Sequence, residues 1–135
     1  MPLMTWTKQL SVGVEVLDDD HKKLIGMLNQ LDSGMKAGQG RATLAKVFDE
    51  LVEYTKFHFA REETFFAETG YPALDAHKKE HDELTMRVLD LQARYRNGAL
   101  ALSLEVINFL KGWLLYHIQG TDQKYSSHLN RKGIH

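Results

Sequence analysis

The stretch that decides the fold is residues 73–96, ALDAHKKEHDELTMRVLDLQARYR. Leu74, His77, His81, Leu84, Val88, Leu91 and Tyr95 recur there at alternating steps of three and four, the spacing that lines one face of an α-helix. Gly70-Tyr71-Pro72 ahead of the stretch and Asn97-Gly98 behind it are stop and start signals. Reading outward, the same period holds almost everywhere. A helix over 41–68 aligns Leu44, Val47, Leu51, Tyr54, His58, Glu62 and Phe65. One over 18–37 aligns His21, Leu24, Leu28, Leu31 and Met35, with Asp18-Asp19-Asp20 as N-cap and first-turn carboxylates and Gly38 and Gly40 as its stop. A fourth over 99–119 aligns Leu102, Val106, Phe109, Trp113 and His117, with Leu110 and Leu114 beside them. Helices of similar length joined by short turns predict an all-α fold, an up-down-up-down antiparallel four-helix bundle. Residues 1–17, where Val12, Val14 and Val16 alternate with Gly13 and Glu15, predict an extended N-terminal arm packed on another element, and 120–135 a C-terminal segment. The whole chain, 1–135, reads as one domain.

Composition narrows the function. Seventeen Lys and Arg against 18 Asp and Glu leave a formal charge of −1, and the basic pairs Lys22-Lys23, Lys78-Lys79 and Arg131-Lys132 are scattered. No nucleic-acid partner is expected from such a balance. With no cysteine there is no disulfide, thiolate ligand or thiol nucleophile. No apolar run approaches the roughly 20 residues of a membrane span, so no membrane insertion is expected. The start, Met1-Pro2-Leu3-Met4-Thr5-Trp6, has no charged segment leading into an apolar one, so the expected location is the cytoplasm.

Seven residues on the helix faces do not belong in an ordinary core: His21, His58, Glu62, His77, His81, His117 and Asp122. In an antiparallel bundle, residues equally far from the turn between their helices lie at equal height. With turns near 39, 70 and 98, every neighbouring pair of the seven agrees within about two residues, or roughly 3 Å. Independent core histidines would have no reason to share one level. The seven are expected to form a site.

The spacing indicates what kind. His58-x-x-x-Glu62 and His77-x-x-x-His81 each place two side chains one turn apart on one face, a two-point grip on a metal. His117 and Asp122 are five apart, which a regular helix aims apart, so a loosened turn or π-bulge around Gly120 is expected to bring Asp122 inward. Imidazoles and carboxylates without thiolate suit borderline ions such as Fe, Mn, Zn, Co or Ni. Seven ligands exceed the needs of one ion, so two are implied. Five imidazole nitrogens, four oxygens from two bridging carboxylates and a shared oxo or hydroxo group fill all but one position of two six-coordinate ions.

His21, His58-x-x-x-Glu62, His77-x-x-x-His81 and His117-x-x-x-x-Asp122 together resemble the hemerythrins, bacterial ones in particular, a family that is itself a standing example of the up-down-up-down bundle. The resemblance covers essentially the whole chain. It implies two iron ions, cycling between Fe²⁺ and Fe³⁺ and bridged by oxo or hydroxo, Glu62 and Asp122. His77, His81 and His117 would complete one iron, and His21 and His58 would serve the other, which keeps the vacancy. The implied function is reversible binding of dioxygen, held as hydroperoxide at the open iron, for oxygen storage, transport or delivery rather than enzymatic turnover. The partners implied are dioxygen and an oxygen-consuming client protein. Other uses of the same centre are oxygen or redox sensing, or an enzyme acting on nitric oxide, peroxide or ferrous iron. Leu24, Ile25, Phe59, Trp113, Leu114 and Ile118 lie within a turn of the seven, and Leu24, Trp113, Leu114 and Ile118 are expected to wall the oxygen pocket. Tyr125 matches a family position near the site, without an assigned role. His128 and His135 read as surface residues of the tail.

Overall fold

The computed structural model describes residues 3–99 and 104–135 of the chain. Four long helices run in order: α1 (Glu15–Lys36), α2 (Arg41–Thr69), α3 (Leu74–Arg96) and α4 (Leu104–Tyr116). A π-helical turn (His117–Thr121), a 3-10 turn (Asp122–Tyr125) and a short helix α5 (Ser126–Arg131) complete the described chain. α1 packs against α2 and α4, and α2 against α3, as an antiparallel bundle requires. Of the expected start of the fourth helix, residues 100–103, with Leu102 on the apolar face, lie outside the described residues. No helix among the described residues is long and apolar enough to cross a membrane.

The core is continuous along the bundle. Leu24, Leu28 and Leu31 of α1, Phe48, Val52 and Phe66 of α2, and Ile107, Leu110, Leu114 and Ile118 near the C-terminus are each at most 2% exposed. The apolar face of α4 departs from the expected one at Phe109: Val106, Leu110, Trp113, Leu114 and His117 are buried as expected, while Ile107 joins them and Phe109 is 39% exposed, with the Arg87 guanidinium 5.9 Å above its ring. On α2, Phe66 takes the buried place expected for Phe65, which is half-buried. An open groove between α3 and α4, lined by Met86, Arg87, Phe109 and Tyr116, accounts for the exposure of Phe109.

The beginning of α1 corrects a second expectation. The helix starts at Glu15, three residues ahead of Asp18, with the Val14 carbonyl accepting from Leu17 (3.1 Å) and Asp18 (2.9 Å). The Asp triplet is thus inside the helix and its members have separate duties. Asp18 turns back on the arm, accepting from the Val12 N–H at 2.8 Å and the Ser11 hydroxyl at 2.6 Å. Asp20 turns into the bundle and is buried. The arm itself, with a 3-10 turn at Lys8–Leu10, packs on α1 and on the C-terminal segment. Asn29 exchanges two hydrogen bonds with the Met4 backbone (2.9 and 2.8 Å), and Asn130 donates to the Gly13 carbonyl (2.9 Å). Met4, Leu10, Val12 and Val14 are all buried as a result. Asp18→Ala should unfasten this arm, costing about 1–2 kcal/mol for two lost hydrogen bonds. The check is a lower urea midpoint with unchanged metal content.

The turn from α2 to α3 places two of the four walls of the site. Gly70 has φ +66°, a left-handed conformation that strains any residue with a Cβ, and the Tyr71 N–H then caps the Phe66 carbonyl at 3.0 Å. His128 belongs to this corner and is not the surface residue expected. It is half-buried, and its Nε2 lies 3.1 Å from the Thr69 carbonyl, tying α5 to the end of α2.

Candidate metal centre

All seven polar residues singled out by the sequence are buried, none more than 4% exposed. α1 contributes His21, α2 His58 and Glu62, α3 His77 and His81, and the π and 3-10 turns His117 and Asp122. The widened turn expected near Gly120 is present as the π-helical run His117–Thr121, and the Asp122 N–H bonds to the carbonyls of both His117 and Ile118. A π turn spreads one turn over more residues, which swings a position five along toward the same side. Gly120 itself has no positive φ, and a Cβ there would meet only the Tyr116 ring at 3.5 Å. The bulge therefore does not depend on glycine.

The side chains sort into two overlapping groups. Glu62, His77, His81, His117 and Asp122 each offer one donor atom within 4.8 Å of the others, and so do His21, His58, Glu62 and Asp122. The two carboxylates belong to both groups, and each divides its oxygens between them. Glu62 Oε1 lies 3.0 Å from His81 Nε2, 3.7 Å from His117 Nε2 and 3.8 Å from His77 Nε2. Its Oε2 lies 3.4 Å from His58 Nε2 and 3.9 Å from His21 Nε2. Asp122 Oδ1 is 3.0 Å from both His77 and His117 Nε2, while its Oδ2 is 2.9 Å from His21 Nε2.

Whether these residues suit a metal can be judged from the atoms left over. Within the cluster, Glu62 Oε1, Asp122 Oδ2, His81 Nε2 and His117 Nε2 are fully buried and make no hydrogen bond. A protein core does not retain two carboxylates and five imidazoles with unspent lone pairs unless something else binds them. Two facing sets of nitrogen and oxygen donors, short of positive charge, fit a pair of borderline divalent or trivalent ions. Without metal the shortage is met by protons. Burial works against a charge on His58, yet the Glu62 carboxylate and the hydrogen bond to Asp20 raise its pKa to about 9. His77 likewise rises to about 9 against burial, through its hydrogen bond to Asp122 and the nearby Glu62 carboxylate. Glu62 is held well below the usual carboxylate range because the surrounding imidazoles, His58 foremost, outweigh its burial.

Around this core stand residues whose parts the sequence reading did not identify. Asp20 Oδ2 lies 2.9 Å from His58 Nδ1, Glu63 Oε2 lies 3.2 Å from His81 Nδ1, and Glu80 Oε1 lies 3.6 Å from His117 Nδ1. Tyr125, fully buried, donates its hydroxyl to Glu62 Oε2 at 2.6 Å. Two signals were available in the chain: Asp20 precedes His21, and Glu63 follows Glu62. Aromatic rings hold the imidazoles in place. Phe59 stacks on His81 with centroids 3.9 Å apart and planes within 3°, and Phe66 packs against both His77 and Tyr125.

Of the expected pocket wall, Leu24, Leu114 and Ile118 are at most 1% exposed and Trp113 is 9% exposed. Trp113 and Leu114 border a small cavity of about 10 Å³ with Leu28, Leu51, Thr55, Val88 and Leu110. The Thr55 hydroxyl is spent on the Leu51 carbonyl at 2.8 Å, so this cavity presents hydrocarbon. Leu24 and Ile118 are in the core but do not line it.

Known proteins agree with this geometry. The family profile of the hemerythrin HHE cation binding domain matches residues 12–129, a span containing all seven residues. The chain is 39% identical to the bacteriohemerythrin of Stenotrophomonas maltophilia, over 97% of this chain and 87% of that protein. It is 36% identical to the bacteriohemerythrin of Methylococcus capsulatus, over 93% of this chain and 95% of that one. A solved wild-type hemerythrin superposes with a TM-score of 0.87 at 36% identity, covering 94% of this chain and 98% of its own. An L114A mutant of hemerythrin superposes equally well, at 0.88 with 35% identity, covering 96% and 98%. Hemerythrins bind a di-iron centre, and a bundle that gathers a shared pair of carboxylates between two sets of imidazoles is built to hold one. By profile, by relatives along nearly its whole length and by fold, the chain belongs to the hemerythrin family.

Proposed function

We propose that the chain binds dioxygen reversibly at a pair of iron ions, for oxygen storage, transport or delivery. The observation that carries this reading is the way Glu62 and Asp122 each aim one oxygen at either set of imidazoles. His77, His81 and His117 would hold one ion and His21 and His58 the other, with Glu62, Asp122 and an oxo or hydroxo group shared. With two imidazoles against three, the His21–His58 side would be the one with room for a small ligand. When bound, the iron pair supplies the electrons and the binding position for dioxygen.

The rest is done by the protein. Tyr125 holds Glu62 in place through its hydroxyl, and Phe59 and Phe66 fix ring orientations on the three-histidine side. Leu24, Trp113, Leu114 and Ile118 exclude the water and protons that would turn reversible binding into irreversible oxidation. Five imidazoles to two carboxylates is unlike the carboxylate-rich set of bundles that activate oxygen, which favours carriage over turnover. We place this activity in the cytoplasm, serving an oxygen-consuming client protein.

Loading with ferrous iron under argon, admitting air and then purging tests the reading. A visible absorption band that appears and disappears over repeated cycles supports carriage. A single irreversible change would replace it with an enzyme or a redox sensor. In the same assay Leu114→Ala should autoxidise several-fold faster, because the truncation opens space beside the site in a core that cannot fully collapse. An unchanged autoxidation rate would remove Leu114 from the water-excluding wall.

A further inference from the structure

The three carboxylates on the outward ring nitrogens are not equivalent. Glu63 and Glu80 have side chains 23% and 28% exposed, so water reaches these carboxylates; Glu63 lies 3.2 Å from His81 Nδ1, and Glu80, at 3.6 Å, leaves the buried His117 Nδ1 without a hydrogen bond. Asp20 is 2% exposed and meets His58 Nδ1 at 2.9 Å. Its other oxygen accepts the Tyr54 hydroxyl at 2.8 Å, and Arg61 Nε stands 3.5 Å from the oxygen that faces His58. The carboxylate is thus clamped in one orientation. On the same side of the cluster, His21 Nδ1 is buried without any hydrogen-bond partner.

We propose that Asp20 is the positioning residue for His58, and that retention of the ion on the His21–His58 side depends on Asp20 while retention of the other ion does not. This rests on the two-ion reading above. A carboxylate on Nδ1 keeps the proton there, which leaves the Nε2 lone pair free, fixes the plane of the ring and strengthens it as a donor. The effect is concentrated because that ion has only two imidazoles, and His21 receives no comparable support. Asp20 also belongs to α1, next to His21, while His58 belongs to α2. The same hydrogen bond therefore sets the distance between the two helices that supply this ion's imidazoles.

The test follows iron release under argon from the reduced, iron-loaded protein into an excess of a chromophoric ferrous chelator, with no oxygen present. Wild type, Asp20→Asn and Glu63→Gln are compared. Asp20→Asn should release one of its two irons about 10- to 100-fold faster, the usual range for loss of an outer partner, and the second at the wild-type rate. Glu63→Gln should change neither rate by more than about threefold, since water can stand in for an exposed partner. Equal acceleration of both irons, the result of a purely structural role, overturns the proposal, and so does no acceleration. Should Asp20→Asn fail to fold, the wild type decides. In the reduced protein placed in D₂O, the His58 ring N–H should outlast those of His81 and His117 by about tenfold or more, and equal exchange overturns the proposal. A wild-type protein holding fewer than two irons would instead defeat the two-ion reading, which separates the two failures.

Discussion

Glu62→Ala is expected to reduce the iron content from two ions per chain to one or none, and to abolish the oxygen-dependent absorption band. The reason is positional. Glu62 is the only glutamate in the cluster among the described residues, and its two oxygens reach both sets of imidazoles at 3.0 to 3.9 Å. Removing it would take an anionic donor from each ion at once and unbalance the charge of a fully buried site. Asp122 cannot compensate, since its oxygens already face His77 and His117 on one side and His21 on the other. Glu62→Gln should preserve the shape and still lose metal, because one arm becomes an amide. Iron analysis of the purified variants decides. Two irons retained in Glu62→Ala would show that the carboxylate does not bridge.

Removing the metals should cost the wild type a large part of its stability. A ligand that binds only the folded chain stabilises it by roughly 4 kcal/mol when present at a thousand times its dissociation constant. For a chain of this length that corresponds to a fall in melting temperature on the order of 10–20 °C. The pH dependence should change as well. In the metal-free protein, Glu62 and Asp122 are held below the usual carboxylate range, burial opposing and the imidazoles prevailing. Their contribution is complete above about pH 5 and is lost as pH falls into the acid range. His58 and His77 are raised from 6.5 to about 9, so their contribution is complete below about pH 6 and is lost as pH rises toward 9. Metal-free protein should therefore melt highest near pH 5 to 6.5 and distinctly lower at pH 9. Bound ions take the place of those protons, so the iron-loaded protein should lack the alkaline loss. Parallel thermal scans of both forms at pH 6 and 9 make the comparison, and identical pH profiles would argue against proton-for-metal exchange in this core.

Helical periodicity carried the bundle because an apolar stripe has to be buried whatever its neighbours are. It was weaker at the edges of the stripes. Phe109 and Phe65 lay on the expected faces yet stand at the margin of the core, because periodicity cannot tell how closely the adjoining helix approaches. The Asp triplet shows the same limit at a helix end. Three carboxylates before an apolar run read as capping residues, whereas the arm folds back and claims Asp18, and His58 claims Asp20. His128 offered no pattern at all, and its place was set by the meeting of α5 with the end of α2.

What the sequence determined alone was the level of the site and its donor chemistry. Helices rise by a constant amount per residue, so residue counts from each turn become heights, and seven polar residues at one height leave little freedom. What only the tertiary structure decided was the division of that cluster. Which oxygen of Glu62 faces which imidazoles, and which histidines gain an outward carboxylate, depends on contacts between helices far apart in the chain. Such contacts leave no period in the sequence, since each is a single meeting of two side chains fixed by the packing around it.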